Sequence, residues 1–254
     1  MTNDEINLAE NINSATEVVF SFDTTGSMAS AIQNVRRHME KTVEEMFQLI
    51  PELRVGLIAH GDYCDGTDCY QVLPLTNDKS KIYKFIHTAK NTGGGDDPEC
   101  YELAMHLAKS MGWSDKHGGK ILVMIGDASP HAANYPANKD KLDWRKELKD
   151  LKEMGINVYP LQCLYAKHAN DVNEFWATIS ETCGTPLLKL QDFSNSASAL
   201  TGVVAASSGT TAFRSYSSKL SAKGFVPNEI VVMNCALEKE AAKYDFTNEI
   251  EGKD

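Results

Sequence analysis

EVVFSFDTTGS, residues 17–27, decides the fold. Six residues dominated by β-branched and aromatic side chains run straight into Asp23, two threonines, a glycine and Ser27. A short run of this kind, without strict alternation and closed by a polar loop, is the pattern of a strand buried on both faces. RVGLIAHGD (54–62), KILVMIGD (120–127) and INVYPLQC (156–163) repeat it. Helical patterns lie between them. From Met28 onward, Ile32, Val35, Met39, Val43, Met46 and Ile50 recur at three- and four-residue intervals, an amphipathic stripe. Residues 97–111 continue the period through Tyr101, Ala104 and Leu107. Their opening, Asp97-Pro98-Glu99, reads as a helix start, with an acidic cap, a first-turn proline and a further carboxylate. Residues 141–154 and 170–183 end at Gly155 and Gly184, which suit helix C-caps.

Strands alternating with helices of this length imply a parallel sheet covered on both faces. CYQVLPL (69–75) follows the second strand after only a short loop, which fits an antiparallel edge hairpin better than a crossover. The expectation is a doubly wound α/β domain, its central sheet mainly parallel, with about six strands and one antiparallel edge strand. Residues 1–15 read as an N-terminal extension and 16–205 as the domain. Residues 206–254 read as a helical or extended appendage. The Ser/Ala-rich stretch 194–221, which spans that boundary, fits one closing helix and then a second.

Composition narrows the function. The 254 residues are 42% hydrophobic and 24% charged, enough to bury a core without disulfide or metal staples. Twenty-five basic against 35 acidic residues give a net charge of −10. The chain is therefore repelled by phosphate backbones and anionic lipid, which argues against nucleic-acid and membrane partners. The first fifteen residues are acidic and polar, unlike a secretory leader. Cysteines at 64, 69, 100, 163, 183 and 235 form no CxxC pair. The expectation is reduced thiols and a cytoplasmic location.

In open parallel sheets, chemistry collects at the carboxyl ends of the strands. Three polar clusters fall there: Asp23 to Ser27, Thr92-Gly93-Gly94-Gly95-Asp96-Asp97-Pro98-Glu99, and Gly126-Asp127-Ala128. They offer carboxylates and hydroxyls, hard ligands that suit Mg²⁺, Ca²⁺ or Mn²⁺ and not Zn²⁺. Asp23, Thr25 and Ser27 alternate, so an extended turn aims all three at one point. The plainer reading is that Asp23 and Ser27 cap the long helix, worth ~1 kcal/mol with no metal. Asp97 and Glu99 read as capping residues, and Asp62 and His131 as solvent-exposed loop residues at the rim.

DxTxS after the first strand, GGGDDPE in a second loop and IGDASPH in a third together resemble a von Willebrand factor type A domain. The similarity is to the branch reading DTTGSM and GGGDxPE, as in alpha-kinase-linked and hemicentin-like A domains. It spans about residues 16 to 205. The resemblance implies a Rossmann-like fold and a metal-ion-dependent adhesion site. Asp23, Thr25 and Ser27 would be its first-loop ligands and Asp127 its third-loop carboxylate. The family's second-loop threonine position is taken by Asp96, with Thr92 upstream, so the second-loop ligand is either Asp96 or Thr92. The implied function is a non-enzymatic, cation-dependent protein-binding module that captures a partner's Asp or Glu carboxylate.

Two other chemistries are open to the sequence. His60, Cys64 and Cys69 share one loop, yet two thiolates and an imidazole fall short of a structural zinc site unless the fold brings in Cys100. DTTGS also resembles the phosphorylation loop of haloacid-dehalogenase-type enzymes, with Asp23 as nucleophile. Against that, Thr25 stands where the phosphatase branch needs a second aspartate, and GDASPH is not the pump branch's GDGxND.

Overall fold

The computed structural model describes residues 16–50, 52–95, 97–115, 119–163, 170–190, 196–224, 226–228 and 230–235. Six strands form one sheet: β1 (Glu17–Asp23), β2 (Arg54–His60), β3 (Tyr70–Thr76), β4 (Lys120–Gly126), β5 (Ile156–Cys163) and β6 (Leu188–Leu190). Their order is β3-β2-β1-β4-β5-β6. β1 pairs in parallel with both β2 and β4, and β5 with β4 and β6, while β3 is antiparallel to β2. The doubly wound sheet with an antiparallel edge expected from sequence is the one observed.

The unbroken apolar runs are explained by burial on both sides. Val18 and Phe20 of β1, with Ile121 and Val123 of β4, face one core. That core is covered by α1 (Ala29–Leu49), α2 (Lys79–Thr88), α6 (Ser196–Ser207) and α7 (Thr210–Ala222). The intervening Val19, Leu122 and Met124 face the other. There α3 (Tyr101–Ala108), α4 (Trp144–Glu153) and α5 (Asn170–Cys183) pack. The central strands β1 and β4 therefore have no polar face to show, and their strand periodicity is masked.

At the amino ends of the strands a buried ion pair ties the base of the sheet. Glu17 meets Arg54, whose guanidinium also donates to the carbonyls of Leu75 (3.0 Å) and Gly112 (3.2 Å), and Glu17 accepts from the Ser114 N–H at 2.9 Å. The opposite end of the sheet carries the polar loops.

The helix expected over 97–111 is shorter, beginning at Tyr101, and no side chain caps it. The preceding loop is held elsewhere: Glu99 N–H donates to the Ser129 carbonyl at 2.8 Å, and Glu99 bridges in parallel to Pro130. Two elements escaped the sequence reading. β6 has three residues, and α2 buries only Ile82 and Ile86 on an otherwise polar segment, capped by Asp78. The proposed N-terminal extension, residues 1–15, lies outside the described residues.

Candidate functional site

After β3 the chain crosses back over the sheet to β4, so the winding reverses between β1 and β4. The crevice beyond their carboxyl ends is where open α/β sheets bind ligands. Here it is a cleft of about 750 Å³ lined by Thr25, Ser27, Glu99, Asp127, Asp171 and the glycines 93–95, among others.

Asp23, the last residue of β1, is fully buried beneath this cleft. Its Oδ1 accepts from the Thr25 N–H at 2.8 Å and from Thr25 Oγ1 at 2.6 Å. Ser27 Oγ donates to Asp127 Oδ1 at 3.0 Å and stands 3.5 Å from Thr25 Oγ1. The four residues expected from the first and third loops are therefore brought together. The capping alternative fails for the helix itself, because neither α1 nor the 3₁₀ turn before it (Gly26–Met28) has a side-chain cap. Ser27 reaches across to β4, not down its own helix.

Of the second-loop candidates, Thr92 is not on the cleft. Its hydroxyl bonds Thr24 Oγ1 at 2.9 Å and its N–H donates to the Thr24 carbonyl at 3.0 Å. Asp96 lies outside the described residues. The second-loop carboxylate that does arrive is Glu99. Only 5% exposed, it is not the capping residue the sequence suggested, and its Oε2 is buried without a hydrogen bond. Gly94 makes the approach feasible: its φ is +69°, and an added Cβ would sit 2.8 Å from Glu99 Oε1. A side chain here would meet both backbone strain and a clash.

Tyr101 completes the arrangement. Its hydroxyl donates to Asp23 Oδ2 at 2.9 Å and accepts from the N–H groups of Asp127 (3.1 Å) and Ala128 (3.3 Å). One buried phenol thus fixes the carboxylate of the first loop against the backbone of the third. Nothing in the sequence distinguishes Tyr101 from an apolar helix residue, which is how it was read.

The electrostatics are one-sided. Burial pushes the Asp23 carboxyl up to about 6, against the lowering effect of the Thr25 hydrogen bonds, and the charge of Asp127 adds to the rise. Burial, followed by the charges of Asp23, Asp62 and Asp65, pushes Glu99 up to about 10. Among the described residues no lysine or arginine lines the cleft. Carboxylates crowded without a cationic side chain are stable as anions only with a counter-charge from elsewhere.

Asp62 and His131 are not exposed rim residues. Both are buried, and His131 Nε2 meets Asp62 Oδ1 at 2.8 Å. His60 is a core residue: Nδ1 bonds Ser21 Oγ at 3.2 Å, the ring packs edge-on to Tyr101, and burial pushes its pKa down to about 3. All six cysteines are free. Among the described residues no helix is long and apolar enough to cross a membrane.

The description "von Willebrand factor type A domain" fits residues 18–129. Over 172 residues the chain is 26% identical to a Dictyostelium discoideum protein named alpha-protein kinase vwkA. That match covers 62% of this chain but only 27% of the relative. Among solved structures, the conserved hypothetical protein BatB from Bacteroides thetaiotaomicron matches at a TM-score of 0.51 and 19% identity. The match covers 73% of this chain and 95% of that one. The pilus adhesin SpaC from Lactobacillus rhamnosus GG matches at a TM-score of 0.56 and 14% identity, over 80% of this chain and 30% of the adhesin. At such identities the structural matches speak for the fold alone. With the three loops in order on the observed sheet, residues 18–129 match the von Willebrand factor type A domain, and the neighbours share the fold.

Proposed function

We propose that the cleft is a metal-ion-dependent adhesion site and that the protein is a non-enzymatic, cation-dependent protein-binding module. The observation that carries this reading is the convergence of Asp23, Asp127 and Glu99 on two hydroxyls with no basic side chain among them. The donors are all oxygens, and Glu99 Oε2 is a buried acceptor without a hydrogen bond, so the set fits a hard divalent cation such as Mg²⁺, Ca²⁺ or Mn²⁺. Thr25, Ser27, Asp127 and Asp23 would hold it, with Glu99 added to the expected set and Asp96 retained as a further contributor. A bound cation would offer an open coordination position to an Asp or Glu carboxylate of a protein partner. The chain's own residues set the geometry: Tyr101 and the Thr25 N–H fix Asp23, and Ser27 is aimed at Asp127 before any ligand arrives.

Nothing favours phosphoryl transfer by Asp23. Its oxygens accept from Thr25 and Tyr101, and among the described residues no lysine or arginine lines the cleft to hold a phosphoryl group.

Titration calorimetry with Mg²⁺ and with Ca²⁺ tests the reading. Wild type is expected to bind one hard cation and to melt at higher temperature with it, since a ligand of the folded state stabilises by mass action. Asp23→Ala should lose both effects, and Ser27→Ala should weaken binding while remaining folded. Unchanged cation binding in Asp23→Ala would refute the site.

A further inference from the structure

A second cluster of different chemistry lies one strand over. Asp62 follows β2, Cys69 precedes β3, Cys100 immediately precedes α3, and His131 follows β4. One ligand atom each from Asp62, Cys100 and His131 falls within 4.8 Å of the other two, and all three residues are buried. The Cys69 sulfur lies 3.5 Å from that of Cys100. None of the four lines the oxygen-rich cleft.

We propose that Asp62, Cys100 and His131, with Cys69 as the nearest donor for the fourth place, form a site for a zinc-class cation. The donor set is one to two sulfurs, an imidazole and a carboxylate, which selects a borderline-soft metal over Mg²⁺ or Ca²⁺. The spacing suits it. Two thiolates on a tetrahedral ion at the usual Zn–S length of ~2.3 Å stand ~3.8 Å apart, close to the observed separation. The imidazole is held in advance: its ring stacks on Tyr135 at 4.0 Å between centroids, and the backbone N–H of His131 donates to Glu102 Oε2 at 3.1 Å. Backbone bonds lock the sulfur-bearing loops together, Gly61 N–H to the Cys69 carbonyl at 2.8 Å and Cys100 N–H to the Gly61 carbonyl at 3.0 Å.

An independent observation favours a cation here. Asp62 Oδ2 is buried without a hydrogen bond. Among the described residues the only basic side chain within ion-pair distance of Asp62 is His131. A buried carboxylate oxygen left bare is costly, and a metal ion relieves it. Binding would take up the ion and release the protons of the coordinating thiols.

The full-length protein, freed of metal by chelation under reducing conditions, is titrated with Co²⁺ and with Zn²⁺. The expected result is a sulfur-to-cobalt charge-transfer band with the intense visible absorption of tetrahedral Co²⁺, abolished by one equivalent of Zn²⁺. Neither Asp23→Ala nor the exposed-thiol control Cys235→Ser should change the band, so failure of the adhesion-site reading leaves this result intact. Cys100→Ser and His131→Ala should remove it, and Cys69→Ser should alter its intensity or position. Absence of a sulfur band in the folded wild-type protein would overturn the proposal, whatever the variants do. So would a Cys69–Cys100 disulfide that persists under the reducing conditions, seen as two missing protons by mass spectrometry.

Discussion

Asp23 sits in an environment that penalises its charge, and this has a measurable pH signature. In the cation-free protein its carboxyl holds a proton up to about pH 6, whereas the unfolded chain releases it near the ordinary aspartate value of 3.8. The folded state therefore binds more protons in that window, and the Asp23 contribution to stability is lost as pH rises through it. A shift of about two units corresponds to roughly 3 kcal/mol. Urea unfolding in chelator should show Asp23→Asn gaining on wild type by about that much between pH 4 and pH 7. Hydrogen bonds altered by the substitution displace the curve without giving it a slope. Addition of Mg²⁺ should reverse the trend, because the cation demands the deprotonated carboxylate. A pH-independent difference would mean Asp23 is charged in the folded state at all these values.

At the level of elements, the site depends on how closely α3 approaches β4. A Cβ on Gly126 would lie 1.8 Å from the Tyr101 hydroxyl, so Gly126→Ala must displace the phenol that ties Asp23 to the Asp127 backbone. Overpacking of this kind costs about 1–3 kcal/mol or more, to be read from denaturant midpoints, and Mg²⁺ affinity should fall with it. Gly155→Ala is the contrast: φ is +72° but nothing lies within 4 Å, so stability should drop without loss of cation binding. The strands β1, β2, β4 and β5 are legible in sequence because burial on both faces leaves unbroken apolar runs, and the long helices because their apolar stripes are wide. Asp23, Thr25, Ser27 and Asp127 were legible because strand ends announce themselves. Glu99 and Tyr101 were not. Their function comes from a loop pulled onto Ser129 and Pro130, a long-range pairing with no local signal, and beside a proline a glutamate looks like a helix cap. α2 was missed because its buried face is two isoleucines wide.

For the molecule as a whole, a net charge of −10 is a field that any partner must cross. For the proposed capture, long-range repulsion would favour a carboxylate presented within a neutral or basic surface. A lysine-rich peptide carrying one glutamate is expected to bind in Mg²⁺ and not in EDTA, with an association rate that falls as salt rises. An all-acidic peptide of equal length should bind more weakly under every condition. Equal capture of both by surface plasmon resonance would show that the field plays no part. The chain spans about a quarter of the length of its vwkA relative, so these expectations concern the domain itself.

The four residues from Glu99 to Glu102 alternate between two environments. Glu99 and Tyr101 reach the oxygen-rich cleft, and Cys100 and Glu102 reach the cluster of Asp62 and His131. One backbone segment thus carries residues of both clusters, so a displacement of that segment would be shared by the two. Any such influence is reciprocal: if filling the sulfur-bearing cluster changes Mg²⁺ affinity tenfold, about 1.4 kcal/mol, then Mg²⁺ changes the zinc-class affinity by the same factor and with the same sign.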